Sequence, residues 1–185
     1  GLQFYMSKIE FKPTDNKVGC FIYTNLKEVK KGQIVEIKKL LDNYGVLFFK
    51  HQDLKPEQYI NFSSNFGTPA KYPMLKPHKD FKDIYVIERK KTDTGKSFGE
   101  GPHTDSSYLE NPPRFTFLQA IDVPEEGKGN TLFYNQFLAY EALPNDIKNK
   151  IENLKGIFSS QGKIAQTRVL REAEHGTNNT KEIKS

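Results

Sequence analysis

The stretch "GPHTDSSYLENPPRFTFLQAIDVPEEGKGNTLFYNQFLAYEALP", residues 101–144, decides how this chain is read. It starts in a Gly-, Pro- and Ser-rich loop and runs into an apolar segment. His103 stands two residues before Asp105, in a chain with only 4 histidines. At a strand edge, residues two apart point the same way. An imidazole nitrogen and a carboxylate oxygen at that spacing can therefore reach one cation. A third ligand, a histidine from a distant strand, would complete a facial triad and leave three positions open on Fe(II). The spacing alone carries little weight. With 4 histidines and 23 acidic residues in 185, chance gives about half a His-x-acid pair per chain. A solvated surface loop is the competing reading of the same residues.

Around this stretch the pattern alternates between helices and short strands. "VGCFIY" (18–23) reads as a strand. "QIVEIKKLLDNY" (33–44) reads as a helix with Ile34, Ile37, Leu40 and Leu41 on one stripe, stopped by Gly45. "VLFFK" (46–50) follows as a buried strand. "KPEQYINFSSNFG" (55–67) reads as a second helix, with Pro56 in its first turn and Tyr59, Phe62 and Phe66 at helical spacing. Residues 68–82 read as loop and "DIYVIER" (83–89) as a strand. "RFTFLQAIDV" (114–123) and "NTLFYNQ" (130–136) read as strands joined by the turn "PEEGKG". "FLAYEAL" and "PNDIKNKIENL" close the series as helices, the second with Ile147, Ile151 and Leu154 on one face. Two early helices followed by several strands and long loops point to a β-barrel or jelly roll with helical decoration, not to a βαβ alternation. There is no GxGxxG or Walker loop, so a phosphate cradle is disfavoured.

Composition narrows the function classes. A hydrophobic content of 36% and a charged content of 28% in 185 residues describe a globular chain. No run is apolar enough to span a bilayer, so no membrane partner is expected. The net charge is +5, but the lysines are scattered among acids instead of forming a basic stripe. Nucleic acid is therefore not the expected partner, whereas a small anionic ligand suits the positive field. Cys20 is the single cysteine; it has apolar neighbours and reads as a buried thiol in a reducing, cytoplasmic setting. "GLQFY" (1–5), before Met6, reads as a cloning remnant.

The 101–144 stretch resembles the central segment of the taurine dioxygenase/TfdA family of Fe(II)- and 2-oxoglutarate-dependent dioxygenases. The shared pattern is an H-x-D motif before "PP", a strand, a "GNT" turn and a short helix ending in Y-x-x-L. "LLDNYGVLFFKHQDLKPEQYINFSSNFGTP" (40–69) resembles the family's N-terminal helix, strand and helix ending in "FG". The resemblance implies a mainly β fold with flanking helices, a double-stranded β-helix (jelly roll, cupin-like). It implies that His103 and Asp105 are iron ligands and that Thr131 contacts the 2-oxoglutarate carboxylate. Ser106, and Tyr72 by a looser match, fall where the family meets its substrate. Fe(II), 2-oxoglutarate and dioxygen are the implied cofactor and co-substrates. A small, anionic organic substrate would be hydroxylated with release of succinate and CO2. Whether the protein forms a homo-oligomer is left open.

Departures from the family pattern are local and specific. Pro102 replaces an aromatic before the metal histidine, Asn130 replaces an aspartate before the threonine, and Gly99 stands where an asparagine binds substrate. The distal histidine ligand and the 2-oxoglutarate arginine have no match. His175 lies in a charged stretch that does not correspond to the ligand position, and Arg168 and Arg171 fall in a region that covers the site in the family. Residues 6–185 thus read as one dioxygenase domain apparently lacking its C-terminal part. His51 reads as a strand cap and His78 as a loop histidine. The alternative function is a non-catalytic jelly-roll module binding a small anion or a protein partner. A serine hydrolase is disfavoured because there is no G-x-S-x-G elbow.

Overall fold

The computed structural model describes residues 8–72, 75–97 and 99–160. Within these, the chain divides into two units. The first comprises residues up to Asn65 together with Gln119–Leu154, and the second Phe66–Leu118 with the residues from Lys155 onward.

The first unit is built on a three-stranded sheet of order β1-β2-β3, with β1 at Phe11–Pro13, β2 at Cys20–Ile22 and β3 at Leu47–Phe49. β1 runs antiparallel to β2, pairing Phe11 with Ile22, and β2 runs parallel to β3, pairing Cys20 with Leu47. A parallel pair needs a crossover. Helix α1 (Lys31–Tyr44) supplies it. The Gln33 side chain accepts the Lys30 N–H at 2.8 Å at the start of α1. Gly45 ends the helix at φ 76°, a left-handed conformation that costs glycine little, and donates its N–H to Leu41 O.

Ile34, Ile37 and Leu40 of the predicted stripe are buried and Leu41 is half-buried; with Cys20, Ile22 and Leu26 they make the core. Helix α2 (Pro56–Ser64) adds Phe62, whose ring meets Phe49 edge-on at 5.6 Å. The two further helices, α3 (Gln136–Glu141) and α4 (Asn145–Ile151), lie where the periodicity placed them. β1 and a short 3-10 helix at Leu26–Glu28 carry no sequence signal of their own.

Three expected strands are corrected. Residues 83–89 contribute a single bridge, Tyr85 to Pro77, and residues 114–123 and 130–136 form no ladder among the described residues. Residues 113–120 still alternate half-buried and exposed, the period of an extended strand. Phe115 and Phe117 pack on Phe66 at 5.7 and 5.1 Å. Among the described residues no ladder includes this segment, and a strand is defined by its ladder, not by its own pattern. Segment 119–154 joins the first unit through a few contacts. Gln119 donates to Leu54 O at 2.9 Å, and Phe133 meets Phe48 at 5.7 Å. No helix among the described residues is long and apolar enough to cross a membrane.

Candidate metal centre

The loop carrying His103 and Asp105 lies in the second unit, and its glycines shape it. Gly99 and Gly101 both have positive φ, 76° and 87°. The turn they allow brings Gly101 O to 2.9 Å from His103 Nδ1. A carbonyl only accepts, so in this contact Nδ1 is the donor, which turns Nε2 toward the other side of the ring. Nε2 lies 3.1 Å from Asp105 Oδ1. A proton on Nε2, or a cation held by both atoms, would make that contact favourable. Two donors each about 2.1 Å from one ion, at right angles, stand about 3 Å apart, so the spacing fits adjacent positions on one metal. Both side chains are half-exposed, at 49% and 51%, and open to an arriving ion.

Gly99 bears on this opening. A Cβ placed there would sit 3.4 Å from His103 Cε1 and 3.9 Å from Nε2. The bare backbone leaves that edge of the ring without a neighbouring side chain from Gly99. In the sequence Gly99 stands out only as a lost substrate contact, within "GEG" (99–101) and separated from the histidine by Pro102. Among the described residues no group of three or more His, Cys, Asp and Glu side chains forms a metal cage. The pair thus supplies two donors, and no third is found there.

Ser106 follows at φ 52°, left-handed for a non-glycine residue, and is buried. Its carbonyl accepts the Leu109 N–H at 3.0 Å, closing the turn. Strain of this kind, about 1–2 kcal/mol, persists only where the surroundings impose it. Tyr72 donates its backbone N–H to Tyr85 Oη at 2.9 Å, and the two rings meet at 6.2 Å. Thr131 belongs to the first unit and is exposed, between the anchored Phe133 and the tight turn that ends at Gly129. His51 is exposed at the end of β3, with φ 56°. His78 accepts the Asp80 N–H on Nδ1 and lines an open recess of about 450 Å³ with Lys76, Lys79, Lys90 and Glu88. Cys20 is buried, which pushes its thiol upward. His175, Arg168 and Arg171 lie outside the described residues.

The family model described as "Taurine catabolism dioxygenase TauD, TfdA family" matches residues 10–183. The chain belongs to this family. Pentalenolactone F synthase of Streptomyces avermitilis is 30% identical over 69% of this chain and 44% of its own length. The alpha-ketoglutarate-dependent 2,4-dichlorophenoxyacetate dioxygenase of Cupriavidus pinatubonensis is 31% identical over 66% of this chain and 48% of its own. The chain thus spans about half the length of the curated relatives it matches. A crystal structure of AAD-2 in complex with Mn(II) and N-oxalylglycine superposes with a TM-score of 0.60 at 25% identity, covering 82% of this chain and 52% of that one. The TauD/TfdA fold is thereby common to both, with the small sheet and helices of this chain as part of it.

Proposed function

We propose that the protein is an Fe(II)- and 2-oxoglutarate-dependent dioxygenase that hydroxylates a small anionic organic substrate on a jelly-roll scaffold. The observation that carries this is the His103–Asp105 pair: a ring nitrogen 3.1 Å from a carboxylate oxygen in an accessible loop, with the other ring nitrogen held by the Gly101 carbonyl. Family membership supports the cofactor assignment. When bound, iron with 2-oxoglutarate and dioxygen supplies the oxidising power for C–H hydroxylation, with succinate and CO2 as co-products.

The chain's own residues do the rest. His103 Nε2 and Asp105 hold the metal, and the Gly101 carbonyl fixes the ring so that Nε2 faces it. Gly99 leaves the approach open. Thr131 hydrogen-bonds the far carboxylate of 2-oxoglutarate, and Ser106 and Tyr72 border the substrate. In this reading residues 6–185 belong to one catalytic domain, whose third ligand and carboxylate-binding arginine are supplied from beyond the described residues. An anionic substrate suits the net charge of +5 and the carboxylate in the name of one relative.

The test is anaerobic titration with Fe(II) and 2-oxoglutarate, following the visible charge-transfer band of the chelate. The band is expected with the native sequence and absent in His103→Ala. A band of equal strength in that variant would remove His103 from the site.

A further inference from the structure

Tyr108 stands three residues after Asp105, at the end of the run of turns Asp105–Tyr108 that also contains the strained Ser106. Its hydroxyl oxygen is sealed from solvent and has no hydrogen-bond partner, the sole side-chain polar atom of this kind among the described residues. More than nine in ten buried polar groups find a partner, because leaving one unmade forfeits the bond the group had in water. A phenylalanine would fill the same volume without that loss. The hydroxyl is therefore unexplained by the packing of the empty protein.

Resting on the metal-centre reading above, we propose that the Tyr108 hydroxyl donates a hydrogen bond to a carboxylate oxygen of the ligand bound beside His103 and Asp105. Three features support an anionic oxygen as the partner. A phenolic O–H is a donor, and one that is itself sealed from solvent pairs best with a charged acceptor. The turn that holds Tyr108 is the one that presents Asp105, so ligand and hydroxyl are drawn to the same short segment. Ser106, two residues before it, is buried and left-handed, so the backbone of that segment is set by its surroundings. Tyr108 is in this sense a positioning and affinity residue for the carboxylate, while the metal is held by others.

Two carboxylate sources share this chemistry: the chelating co-substrate and a substrate that does not touch the metal. Calorimetric titration of the Mn(II)-loaded full chain with N-oxalylglycine, and separately with phenoxyacetate, distinguishes them. The proteins compared are the native sequence, Tyr108→Phe and His103→Ala, each also melted without metal.

Tyr108→Phe is expected to bind Mn(II) as the native chain does and to melt at the same temperature or higher, since it loses an unpaired group. It is expected to weaken one of the two ligands about tenfold, as for a lost hydrogen bond to a charged acceptor. Weakening of N-oxalylglycine assigns the hydroxyl to the chelating ligand; weakening of phenoxyacetate alone assigns it to the substrate. Unchanged affinity for both overturns the Tyr108 proposal and leaves the metal centre standing. A lower melting temperature without metal also overturns it, because the hydroxyl would then have a partner in the empty fold. Failure of the native chain to bind Mn(II) and either ligand removes both readings together.

Discussion

Two regions of the first unit carry similar apolar sequences and meet different fates. β2 and β3, "CFI" and "LFF", are paired along their backbones and covered by α1, so Ile22 and Cys20 are fully buried. Segment 119–154 contains "LFY" and a helix bearing Phe137, yet Ile121 is 87% exposed and Phe137 83%. The difference lies in the neighbours. β2 finds partners on both sides, one of them delivered by a crossover helix whose buried stripe faces the sheet. The 119–154 segment touches the sheet at Phe133 and the Leu54 carbonyl at Gln119, and among the described residues its backbone joins no ladder. Apolar alternation creates the demand for burial, and only a second element can meet it.

The comparison is sharpest in stability. Ile37→Ala removes a fully buried side chain beneath the sheet and should cost about 2–5 kcal/mol in urea denaturation. At the metal loop, Gly99→Ala forces a side chain into a backbone at φ 76° and against the His103 ring. It should cost about 1 kcal/mol in stability and weaken Mn(II) binding several-fold, both read from metal-dependent melting. Ile121→Ala should cost under about 0.5 kcal/mol. A loss as large as that of Ile37→Ala would show that something outside the described residues covers segment 119–154 in solution.

The smallest effect concerns Cys20. Burial raises its thiol in the folded state, so the unfolded chain gives up its proton first as pH rises. The contribution to stability is complete below about pH 8.5, the unfolded value, and is lost as pH climbs toward the folded one. At neutral pH a thiol reagent should label Cys20 only at the rate of unfolding; rapid labelling of the native protein would break the picture of a closed core.

By itself the sequence determined where the helices lie and which ligating residue types stand close together in the loop. Helical stripes such as Ile34, Ile37 and Leu40 are legible because a helix satisfies its hydrogen bonds within one segment, so its pattern, caps and stop lie together in the chain. His103 and Asp105 are legible for a similar reason: two residues apart in a non-helical loop, they are close in space without needing a distant segment. Tertiary structure decided what depends on distant partners. It decided which apolar runs became strands, since a ladder needs a second segment. It also decided that Gly101 O fixes the His103 ring, that Gly99 sets no side chain against its edge, and that the Tyr108 hydroxyl is sealed without a partner. Burial and tautomer are properties of an environment, and that environment exists only after the loop has folded.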